Sequence, residues 1–161
     1  MFNFTYIHTV KHFYFFILLF IIGSCSLNAA QESALNQSKN EYIGARNEGV
    51  IISYVAYTHP NVVGFYKDLG DEAFIERFDL HVGVGSLFLQ DGSIKETNWD
   101  GDNIQVKYEF MGILETEFRY EGDPVFIYAL SADDGKSWHF LEEKDYFNSK
   151  IIKPKDRLIK K

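Results

Sequence analysis

Cysteine is nearly absent. The 161-residue chain has one, Cys25, which excludes an intrachain disulfide framework and any cysteine-based zinc site. Positive charge is also short: 16 Lys and Arg stand against 23 Asp and Glu, a net −7. That balance argues against a nucleic-acid partner. No apolar run reaches the roughly 20 residues that a bilayer-spanning helix needs. The three histidines beyond the first twenty-five residues, His59, His81 and His139, fall in neither H-x-x-x-H nor H-E-x-x-H spacing. Metal binding therefore has no signature, and no cofactor is expected. Gly83-Val84-Gly85-Ser86 completes neither a nucleophile elbow nor a dinucleotide-binding loop. What is present is apolar: 46% hydrophobic and 17% aromatic residues, too rich for a disordered chain and enough for one core.

The first twenty-five residues differ from the rest. Lys11, His8 and His12 precede an unbroken apolar run from Phe13 to Ile22. A basic flank followed by ten apolar residues reads as a secretory signal peptide. Ile22-Gly23-Ser24-Cys25 then resembles the lipobox of bacterial lipoproteins, an aliphatic residue, two small residues and the cysteine. The resemblance implies cleavage after Ser24, a diacylglycerol on the Cys25 thiol and acylation (palmitate or a similar chain) of the new amino terminus. The alternative is ordinary cleavage near Ala29 or Ala30, where Leu27 or Asn28 is larger than an A-x-A site prefers. Acyl chains at about 0.8 kcal/mol per buried CH₂ would hold the chain on a membrane lipid surface without a spanning helix. No acid follows Cys25 until Glu32, so the expected position is the cell envelope, facing the periplasm.

Four segments are expected. Residues 1–24 are the signal peptide, and 25–40, small and polar, a flexible tether. Residues 41–149 form a single α+β domain, and 150–161 a basic C-terminal tail. Within the domain, Ile43, Val50, Ile51, Tyr54 and Val55 recur on one helical face between Tyr42 and Tyr57. Pro60 is placed to open a second helix that Gly70 stops. Asp71 is placed to cap a third, with Phe74, Ile75 and Phe78 inward. After Val84 the period changes to two: Ile104, Val106, Tyr108 and Phe110 alternate with polar residues, and so do Leu114, Thr116, Phe118 and Tyr120. Turn signals stand at Asp91-Gly92, Asp100-Gly101, Gly122-Asp123-Pro124 and Asp134-Gly135. The expectation is five or six antiparallel strands between about residues 85 and 142, after three helices. Helices followed by a curved antiparallel sheet resemble the NTF2-like and cystatin-like folds. That resemblance covers residues 41–142, implies a conical pocket, and carries over no functional residue.

One local motif is specific. Ser131-Ala132-Asp133-Asp134-Gly135-Lys136-Ser137-Trp138 resembles the Asp-box of sialidases and other β-propellers, S-x-D-x-G-x-x-W. Its physical content is a hairpin turn: Asp133 accepts backbone hydrogen bonds, Gly135 supplies positive φ, and Trp138 packs beneath. With one copy and no internal repeat, a propeller is excluded, and the box reads as a structural turn rather than a carbohydrate contact. Asp100-Gly101-Asp102-Asn103 offers oxygen ligands for calcium but lacks EF-hand spacing, and a solvated hairpin turn is the simpler reading. Asp71-Glu72 and Glu142-Glu143 read as helix-start and surface charges. Asp79 and His81, two apart, are the one acid–histidine pair to weigh as catalytic. Residues 150–161 hold six basic residues and one acid, able to clasp the acidic body, contact anionic headgroups or stay in solvent.

Three functions remain open on this reading. The first is a lipoprotein that binds a small ligand or an envelope protein without catalysis. The second is an acidic inhibitor or immunity-type protein acting on a basic partner. The third is a small NTF2-like hydrolase or isomerase.

Overall fold

Asn28 caps the first helix. In the computed structural model, which describes residues 26–80, 86–114 and 120–161, its side chain accepts from the N–H groups of Ala30 and Gln31. The Gln31 side chain accepts in turn from the Asn28 N–H, completing a capping box. Helix α1 (Ala29–Glu48) follows. The segment expected as a flexible tether over residues 25–40 is therefore largely the first three turns of a helix, anchored by buried Leu35 and continued by Tyr42 and Ala45. The signal peptide, Cys25 and His81 lie outside the described residues.

The single helix expected from Tyr42 to Tyr57 is two. Gly49 takes a left-handed conformation (φ 73°) and ends α1, and α2 (Ile51–Tyr57) starts afresh. Tyr54 is buried at the α1–α2 contact, while Val50 and Ile51 are exposed, contrary to their expected inward face. Pro60 opens α3 (Pro60–Leu69) and Gly70 closes it. In α4 (Asp71–Phe78) the capping position is Gly70, and Asp71 makes no side-chain cap. Phe78 packs inward against Phe74, but Ile75 is 63% exposed.

The sheet has four strands among the described residues, paired antiparallel in the order β1-β2-β3-β4: β1 (Leu87–Asp100), β2 (Asn103–Leu114), β3 (Tyr120–Ser131) and β4 (His139–Glu142). The α+β class stands, with four strands in place of five or six. Two turn signals explain the difference. Asp91-Gly92 lies opposite the single residue Phe110, as a β-bulge inside one long strand, with Asp91 at φ 51°. Gly122-Asp123 lies likewise opposite Gly112. Bulges use the same left-handed and glycine-tolerant positions as turns, so composition alone does not separate them. The other two signals are true hairpins, at Gly101-Asp102 and in the loop before Trp138.

Over β2–β4 strand alternation sorts the sheet into two covered faces, while β1 is largely exposed. Ile104, Val106, Tyr108 and Phe110 form the inner face against the helices, with Tyr42, Tyr54 and Phe140 stacked in the core. On the outer face, Tyr128 stacks on Tyr146 of the short helix α5 (Glu143–Tyr146), with ring centroids 4.0 Å apart. The basic residues 150–161 are no free tail: Ile151, Ile152 and Ile159 are buried. Gln105 fastens them, donating to Asp156 O and accepting from the Leu158 N–H and the Tyr146 hydroxyl. Of the three fates open to this segment, it clasps the body while its lysines stay exposed.

Candidate functional site

A half-open cleft of about 650 Å³ lies where α3, the outer sheet face and the C-terminal segment meet. His59, Asn61 and Asp68 form its helical wall, and Asn103, Gln105 and His139 its sheet wall. Lys150 and Lys153 stand on the third side, above buried Ile151 and Ile152.

The histidines come together although 80 positions separate them, their ring centroids 6.3 Å apart and near perpendicular. His59 is placed by Thr58-His59-Pro60. Thr58 bridges to Phe140 on the edge of β4, and the His59 N–H donates to Phe140 O at 2.9 Å. Its Nδ1 caps α3, accepting from the Asn61 N–H at 3.2 Å. Burial, then the neighbouring His139, pushes His59 down to about 4, and burial lowers His139 against the pull of Asp133. Both rings are neutral at pH 7. Asn61 donates to Ile151 O, so the cleft's polar groups largely serve to join its walls.

The Asp-box residues form a tight loop beside the cleft. The Asp133 carboxylate accepts from the N–H groups of Lys136 and Ser137 and from the hydroxyls of Ser131 and Ser137. Those bonds, Ser137's first, hold it down at about 2. Gly135 has φ 77°, and its carbonyl accepts from the buried Trp138 indole. The loop is also an anchor point: Gln31 of α1 donates to Asp134, and the Asp134 N–H donates to Asp102 O in the β1–β2 hairpin. Asp100 to Asn103, weighed as a calcium site, form that hairpin, with Asn103 donating to Asp100 O.

Sequence reading missed a second polar centre. Arg77 on α4 donates from Nη2 and Nε to Asp145 Oδ2 (2.7 and 3.2 Å) and from Nη1 to the Tyr54 hydroxyl. Its side chain is 5% exposed and that of Asp145 1%. Tyr66 donates to the other Asp145 oxygen, and Glu142 stands 3.6 Å from the guanidinium. Burial opposes the charge on Arg77, yet Tyr54, Glu142 and Asp145 together raise its pKa. Glu142, expected as a surface charge, is thus part of this cluster; burial pushes it up, and Arg77 with Lys144 brings it below its ordinary value. Asp79, two residues beyond Arg77, is exposed at the end of α4 and takes no part. The signal in the sequence was a lone arginine among the inward aromatics of an amphipathic helix.

Among the described residues, no group of three or more His, Cys, Asp or Glu side chains could hold a metal ion. No helix among them is long and apolar enough to cross a membrane. No protein-family model, no curated protein and no solved structure matches this chain.

Proposed function

We propose that the chain is an exported bacterial lipoprotein whose α+β domain binds a small ligand or an envelope partner in the His59–His139 cleft without catalysis. The cleft carries this reading. Its volume suits a small molecule, and several of its polar groups are engaged in the fold itself: His59 Nδ1 in a helix cap, Gln105 and Asn61 in bonds to the C-terminal segment. The finer fold assignment, NTF2-like or cystatin-like, is part of the same proposal and draws support from the bulges, which curl long strands.

The capping box favours the lipid anchor. Cleavage after Ala29 or Ala30 would discard Asn28 and leave the first α1 N–H groups unpaired, whereas cleavage after Ser24 keeps the cap whole. Acylated Cys25 would then sit three residues from the start of the helix cap-to-body junction, holding the domain directly against the membrane surface. Cys25→Ala should release the protein from the membrane pellet and abolish fatty-acid labelling; continued labelling refutes the anchor. For the cleft, native mass spectrometry of the chain extracted gently in detergent should show a small-molecule adduct that Asn61→Trp, which fills the cleft, eliminates. An adduct indifferent to that change would place binding elsewhere. The excess of acidic residues outside the C-terminal segment favours a second reading, an acidic face against a basic protein, which a salt-sensitive complex would reveal.

A further inference from the structure

The α2–α3 junction combines three features that respond to one proton. Proline at the first helical position has no N–H to satisfy and the Val62 and Val63 N–H groups bond to His59 O, so the side-chain cap of α3 is the single bond from the Asn61 N–H to His59 Nδ1. A neutral imidazole can accept there only with its proton on Nε2, and a charged imidazolium cannot accept at all. The cap and the charge are mutually exclusive. A cation at this position also opposes the positive end of the helix dipole. Finally, the His59 backbone is bonded to Phe140 O, next to His139, so loss of the cap acts at the point where α3 joins the sheet.

We propose that His59, backed by His139, is an acid-operated latch: a proton on His59 releases the first turn of α3 from the edge of β4 and widens the cleft. The surroundings set the balance. On the α3 side Asp68, and on the C-terminal segment Lys150, Lys153 and Asp156, line the same cleft. From the β3–β4 loop, Asp133 favours a proton on His139, and a charged His139 resists one on His59. The closed latch therefore resists protonation while the open one, with His59 in solvent, does not. This linkage drives opening as pH falls below the ordinary histidine value, and it holds whatever occupies the cleft.

The test is amide exchange over residues 61–65 in the whole chain in mild detergent, without added ligand, corrected for the intrinsic pH dependence of exchange. With His59 at 6.5 when open and about 4 when closed, the open population should rise about 20-fold between pH 7 and pH 5. His59→Asn keeps a capping acceptor without a titrating group and should abolish the rise; circular dichroism at pH 7 checks that it is folded. An equal rise in His59→Asn, or none in the parent chain, overturns the latch. A direct NMR titration of the His59 ring gives a second check that needs no variant: a value at or above 6.5 also overturns it. Neither experiment depends on a ligand, so failure to find one would bear on the proposed function alone.

Discussion

Replacing Arg77 with methionine tests the logic of the buried cluster most sharply. Methionine retains most of the aliphatic volume, so the perturbation is the loss of the guanidinium rather than a cavity. Asp145, 1% exposed, would keep only the Tyr66 hydroxyl, and the Tyr54 hydroxyl would lose a donor. Breaking one side of a buried pair while leaving the other charge in place costs about 3–5 kcal/mol. Urea unfolding at pH 7 should show that loss as a lower midpoint with an unchanged slope. Arg77→Met combined with Asp145→Leu removes both charges and should recover at least half of it, because a buried pair contributes little relative to apolar residues of similar size. Glu142 supplies the pH dependence. Arg77 helps hold its pKa down, so in the native protein its contribution is present above the ordinary glutamate value and is lost as pH falls through the lowered one. Without Arg77, burial raises Glu142, and the deficit of the variant should narrow as pH falls from 7 towards 4. A cost below about 1 kcal/mol, or a double variant as unstable as the sum of its singles, would refute the reasoning.

Three further outcomes are expected. Asn28→Ala removes the α1 cap and should lower stability by about 1 kcal/mol in urea unfolding. Gly92→Ala drives a Cβ into the buried Phe110 ring and should cost about 1–3 kcal/mol, with Phe110 displaced in NMR spectra. Asp133→Ala should cost about 1 kcal/mol or more at pH 7 through lost loop hydrogen bonds. Because the folded Asp133 is lowered to about 2 from 3.8, its contribution is present above 3.8, and the difference between variant and parent should fade as pH drops below that and through 2.

Local signals were legible wherever one residue type serves one purpose. Pro60 and Gly70 bracket α3 as their backbones dictate, and Gly101 and Gly135 turn their hairpins. Alternation over Ile104–Phe110 identified the inner face of β2. Ambiguity arose where a residue type serves two purposes, as at Asp91-Gly92, equally suited to a hairpin and to a bulge. The first half of α1 escaped because its buried anchors, Leu35, Tyr42 and Ala45, are sparse among polar residues; the signal there was Asn28-x-x-Gln31. Isoleucines hidden among lysines disguised the packing of residues 150–161. The cleft was not legible, and the Arg77 cluster showed only as a lone arginine among inward aromatics, since His59 with His139, and Arg77 with Asp145, meet only once the sheet brings distant segments together.

The clasp made by residues 150–161 has a consequence for biogenesis. This segment follows every α-helix and strand among the described residues, yet Ile159 is fully buried and bonded to Tyr146. While the earlier residues emerge from the ribosome, the Gln105 amide on the outer side of the sheet lacks its partners Asp156 O and the Leu158 N–H. That part of the surface is covered only when the last isoleucines dock, after synthesis has passed them. Under the export proposed above, that order of events would leave a chain not yet closed for threading through a narrow channel.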